Sequence, residues 1–167
     1  MKTSNRFLYA LFLSMPALAF AAGGHEGHGM SASAPAMHAE PAEHAAAGMA
    51  GDPAKVTRTI PVEMNDGMRF TPDQVTVKAG ETVRFFIVNK GKLPHEMVIG
   101  TAGELKEHAE KMRKMPGMVH QDANQMKLAP GQRGAIVWTF TKAGTVNYAC
   151  LVPGHMEAGM VGSVLVQ

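Results

Sequence analysis

The chain has 167 residues, with a single cysteine, 14 methionines and 8 histidines, and a formal net charge of +2 with histidine neutral. That balance points to no basic stripe or patch, so no nucleic-acid partner is expected. A lone cysteine cannot close an internal disulfide, leaving a buried thiol, an intermolecular bridge or a metal ligand.

Residues 1–21 have the build of an export signal. Lys2 and Arg6 give the positive start, Phe7 to Phe20 is mostly apolar, and Ala19-Phe20-Ala21 offers a cleavage site. The run is short of the roughly 20 residues a membrane span needs, and Ser14 and Pro16 interrupt it. The expected product is periplasmic, monomeric and free of the membrane after cleavage. Loss of Lys2 and Arg6 leaves its basic and acidic side chains equal in number. Residues 22–54 are rich in Ala, Gly, Pro, His, Met and Glu and poor in large apolar side chains, so a disordered tail is expected.

Residues 55–167 have the composition of one folded domain. Strands are predicted over 56–64, closed by the turn Asn65-Asp66-Gly67, and over 74–78, with Val75 and Val77 on one face. The run Phe85-Phe86-Ile87-Val88 within 82–89 reads as a strand covered on both sides. A strand over 96–99 precedes a helix over 104–115, which Pro116-Gly117 ends. Strands over 135–141, 145–150 and 162–166 follow; Ile136, Trp138 and Phe140 share a face of the first. The pattern predicts an all-β Greek-key sandwich or barrel with one short inserted helix.

Cys150, His155 and Met160 stand in a C-x4-H-x4-M spacing, and His95 lies upstream in Leu93-Pro94-His95-Glu96-Met97. Cys150 closes a predicted strand, while His155 and Met160 lie on the following loop, where Pro153, Gly154 and Gly159 permit tight turns. One thiolate, two imidazoles and one thioether match a mononuclear electron-transfer copper site. Soft sulfur favours Cu(I), and imidazole accepts both oxidation states.

Over about residues 64–167 the chain resembles the cupredoxins, the small blue-copper proteins. The likeness is carried by Phe70-Thr71-Pro72, by Val75-Thr76-Val77-Lys78-Ala79-Gly80-Glu81-Thr82-Val83 and by the His95 loop. Tyr148-Ala149-Cys150, Pro153-Gly154-His155 and Gly159-Met160-Val161-Gly162 complete it. The resemblance implies one type 1 copper ion, with His95, Cys150 and His155 as equatorial ligands and Met160 as the axial one. Met156, next to His155, is the competing thioether. In many cupredoxins an Asn or Ser after the first His ties the two ligand segments together; Glu96 stands there in this chain.

His25, His28, Met30, Met37, His38, His44 and Met49 form a loose array in the tail, suited to binding further copper. Cleavage after Ala22 would expose Gly23-Gly24-His25, a square-planar Cu(II) chelator; cleavage after Ala21 would shift it out of register. His108, Met112 and Met115 fall on one helical face, with Met118 and His120 beyond them, as a second copper surface or as core packing. Such a tail beside a cupredoxin domain resembles the copper-tolerance cupredoxins of bacterial periplasms. A soluble electron carrier is the alternative. Expected partners are copper ions and a periplasmic redox protein or copper transporter. One domain without an H-x-H pair, and one Cys where a dinuclear centre needs two, argue against an enzyme.

Overall fold

The computed structural model of the chain describes residues 46–115 and 122–167. Among these described residues ten strands fall in chain order: β1 (Met49–Ala50), β2 (Arg58–Asn65), β3 (Arg69–Thr71), β4 (Gln74–Val77), β5 (Thr82–Asn89), β6 (His95–Gly100), β7 (Gln125–Leu128), β8 (Arg133–Thr139), β9 (Gly144–Ala149) and β10 (Val161–Val166). Helix α1 (Ala102–Lys114) links β6 to β7. Two five-stranded sheets result, ordered β1-β8-β5-β2-β3 and β4-β10-β9-β6-β7. Each is mixed, with β2 parallel to β5 in the first and β4 parallel to β10 in the second.

The core comes from period-two alternation. Ile60, Val62 and Met64 of β2, Phe85 and Ile87 of β5, and Ile136 and Trp138 of β8 are buried from one sheet. Met97 and Ile99 of β6, Val146 and Tyr148 of β9, and Val164 and Val166 of β10 are buried from the other, and all join one cluster. Tyr148 meets Phe70 edge-on at a centroid distance of 5.1 Å.

Two expectations about coverage change. Phe86 is 39% exposed, so β5 is buried on one face only and its apolar run is not that of a doubly covered strand. The doubly buried strand is β6, because Val98 on its outer face packs with Leu105 and Ala109 of α1. The folded region also begins earlier than expected. Within the predicted tail, β1 pairs with β8, and Trp138 Nε1 donates to the Ala47 carbonyl at 2.9 Å. A 3-10 turn, Pro53–Lys55, follows, capped by Asp52.

Helix α1 starts two residues before its predicted position because Thr101 and Glu104 form a capping box. Glu104 N donates to Thr101 Oγ1 at 3.2 Å, and Thr101 N donates to Glu104 Oε2 at 2.6 Å. Thr101→Ala should therefore cost about 1 kcal/mol, read as a lower urea midpoint with an unchanged slope.

Candidate metal centre

β6 and β9 are antiparallel neighbours with Val98 opposite Ala149. Continuing that register sets Cys150 opposite Met97, so Cys150 and His95 project from the same inner face. The loop from Cys150 to Val161 then folds on its own backbone. His155 N donates to Val152 O at 3.0 Å, Met160 N to His155 O at 3.0 Å, and Cys150 N to Met160 O at 3.1 Å. Those bonds turn His155 back toward Cys150 and return Met160 beside it. Met160 is fully buried in the same apolar cluster as Cys150.

The donor atoms of His95, Cys150 and His155 all lie within 4.8 Å of one another, the one such group of His, Cys, Asp or Glu among the described residues. His95 Nδ1 is 3.2 Å from His155 Nδ1, and Cys150 Sγ is 3.3 Å from His155 Nδ1. His95 and Cys150 are buried, whereas His155 is half-buried and forms the outer edge of the group. Burial pushes the Cys150 thiol up to about 11, against the Glu96 and Val152 amides, which favour the thiolate. Burial, and then the repulsion a protonated His95 would exert, hold the His155 imidazole below its ordinary range, so a neutral ring offers its lone pair near pH 7. A soft sulfur and two imidazoles converging in a mostly buried pocket fit a copper ion. His95, Cys150 and His155 would hold it, with Met160 beside them.

Three contacts brace the group. Glu96 N donates to Cys150 Sγ at 3.4 Å, and the Glu96 carboxyl faces the Leu151 amide. Glu96 thus joins the His95 strand to the Cys150 segment, in the position where the resemblance leads one to expect Asn or Ser. Its carboxyl is pushed above its usual range by burial, against the Lys127 charge across the β6–β7 ladder. Arg69 Nη1 donates to the Ala158 carbonyl at 3.1 Å, steadying the loop between His155 and Met160. Gly159 suits this position because its φ of +95° is one that residues with a Cβ rarely adopt, and a Cβ would also lie 2.8 Å from that same nitrogen. The third brace is Asp66, whose Oδ1 is 3.0 Å from His95 Nε2. Sequence reading assigned Asp66 and Arg69 no role; the only signal was that Asn65-Asp66-Gly67 marks a turn.

Met156, the rival thioether, packs against the separate cluster of Val98, Leu105, Ala109, Ala149 and Leu151. Leu105 and Ala109 take the buried face of α1, while Met115 at its end is 39% exposed. Met118 and His120 lie outside the described residues, as do the signal segment and the tail array apart from Met49, which is exposed on β1.

A two-sheet sandwich with a Cys–His–His group at the ends of β6 and β9 defines a cupredoxin. The chain belongs to the copper-binding proteins of the plastocyanin/azurin family, whose profile matches residues 56–167. It is 48% identical over 164 residues to the copper-resistant cuproprotein CopI of Rubrivivax gelatinosus, covering 98% of this chain and 99% of that one. The protein of the same name from Pseudomonas aeruginosa is 37% identical over 158 residues, covering 77% and 87% respectively. Among solved structures, reduced auracyanin from Roseiflexus castenholzii superposes with a TM-score of 0.58 at 22% identity, over 67% of this chain and 98% of that one, a likeness of fold.

Proposed function

We propose that this chain is a periplasmic type 1 copper protein that serves copper tolerance, in which His95, Cys150, His155 and Met160 would hold one copper ion. The observation that carries the reading is the convergence of three donors of the right chemistry within 4.8 Å on two adjacent strand ends. The near full-length likeness to a copper-resistant cuproprotein supports the tolerance role, and the apolar start of the chain supports export. Among the described residues no helix is long and apolar enough to cross a membrane.

Copper bound there supplies a one-electron Cu(I)/Cu(II) couple. The protein's part is to hold its ligands nearly still while the charge changes. The bonds of the Cys150–Val161 loop, the Glu96 link and the Arg69 contact do this. The half-buried His155 edge is the side from which an electron enters or leaves, because the other ligands are buried. Binding and electron transfer, rather than turnover of a substrate, are what this arrangement performs, as a monomer.

The same exposed edge would serve a soluble electron carrier exchanging with a redox protein. The His/Met-rich tail separates the two readings, since a shuttle needs no metal-collecting segment. Deleting 23–45 spares β1 and the Ala47 anchor. The tolerance reading predicts that cells carrying this variant lose copper tolerance while the purified protein still cycles between oxidation states. Tolerance equal to that of the intact chain would favour the carrier. Extra copper on the tail, or passed to a transporter, is expected to appear as binding beyond one equivalent that this deletion removes.

A further inference from the structure

Asp66 lies on the turn after β2, outside the ligand segments, yet three of its contacts converge on His95 and the loop before it. Its Oδ2 accepts from Lys92 N at 2.7 Å, and its Oδ1 accepts from Leu93 N at 3.2 Å and faces His95 Nε2 at 3.0 Å. The loop is shaped to leave room for this. A Cβ on Gly91 would collide with Asp66 Oδ1 and lie 3.1 Å from His95 Nε2. Asn65 Oδ1 in turn accepts from Gly67 N at 2.9 Å, fixing the turn that aims the carboxylate.

An ionised carboxylate can only accept hydrogen bonds, so in the neutral ring the 3.0 Å contact places the His95 proton on Nε2. That leaves the Nδ1 lone pair facing His155 and Cys150, where the donor atoms meet. A carboxylate on the far nitrogen of a ligating imidazole fixes the ring and raises its basicity. It also adds a negative charge one ring away from the ion. With the Cys150 thiolate it balances the two charges of Cu(II), and it leaves Cu(I) with a surplus negative charge.

We propose that Asp66 is a positioning residue of the copper centre, which selects the Nδ1-donating form of His95 and biases the site toward Cu(II), lowering its potential. This rests on His95 being a copper ligand. Asp66 is partly exposed, with a side-chain accessibility of 36%, so solvent screening keeps the bias at the modest end.

The test uses the full chain and two variants, with copper as the probe. Asp66→Asn keeps the shape and one acceptor but removes the charge. The ratio of Cu(II) to Cu(I) affinity should fall about tenfold, a rise of about 59 mV for one electron, with the thiolate-to-copper band retained. Asp66→Val removes the acceptor as well. In the metal-free protein, nitrogen NMR of the His95 ring should change from one Nε2–H form to a mixture, and Cu(II) affinity should fall about 10–100-fold. A wild-type chain that shows the band, with an unchanged potential in Asp66→Asn and an unchanged His95 ring form in Asp66→Val, overturns the role of Asp66 alone. A wild-type chain with no such band overturns the copper assignment and this role together.

Discussion

Replacing Cys150 by Ser should abolish the intense visible band of the copper-loaded protein and lower copper affinity by at least about 100-fold. Loss of a mere outer contact costs a metal site about 10–100-fold, and here the soft donor of the set is itself removed. Cys150 is fully buried, 3.3 Å from His155 Nδ1, with Glu96 N donating to its sulfur. A serine hydroxyl fits the same space and can accept the same amide, so the fold should survive with a change within about 2 kcal/mol. Chelator competition for Cu(I) and Cu(II), with the visible spectrum and a urea melt, separates these effects. The wild-type protein should also gain thermal stability on copper loading, as any ligand of the native state confers, and Cys150→Ser should gain little. A persistent band in the variant would mean that the sulfur is not a ligand.

Trp138→Ala should be the most damaging substitution in the first sheet. The indole is 2% exposed on β8, between β5 and β1, and its Nε1 donates to the Ala47 carbonyl. Truncating a buried Trp costs about 3–5 kcal/mol, a large part of the roughly 5–15 kcal/mol that stabilises a domain. It also leaves the Ala47 carbonyl without its partner. The short β1, held to β8 by two register positions, Met49 opposite Thr139 and Ala50 opposite Trp138, should then detach. A lower urea midpoint and faster hydrogen exchange at Met49 and Ala50 are the expected signs. Trp138→Phe, which keeps most of the ring packing, should lose less stability yet free the same strand. A cost below about 1 kcal/mol for Trp138→Ala would contradict the packing described.

The strands legible in the sequence were those whose alternation matches a buried face. Ile136 and Trp138 share the inward face of β8 as their alternation implied, and Val62 and Met64 on β2 and Val164 and Val166 on β10 are buried in the same alternating way. β1, β3 and β7 escaped because these short edge strands lack the β-branched run Val75-Thr76-Val77 that marks β4, itself a short edge strand. Their pairing is decided by the neighbour already in the sheet rather than by their own side chains. Phe86 misled for a related reason: an apolar run does not say whether anything covers its second face. The centre divides in the same way. Cys150, His155 and Met160 share one loop, and their spacing was visible; His95 was recognisable by its surroundings and family pattern. Asp66 was not, because its contact with His95 spans 29 positions and depends on the turn that brings it there.

The most direct test of the centre is X-ray absorption at the copper edge on the full chain loaded with a single equivalent of Cu(II), so that the tightest site fills first. One short copper–sulfur contact and two imidazole nitrogens are expected around the ion, the sulfur contact being lost in Cys150→Ser. A shell of nitrogen and oxygen alone would contradict this, and would place the copper on histidines away from Cys150.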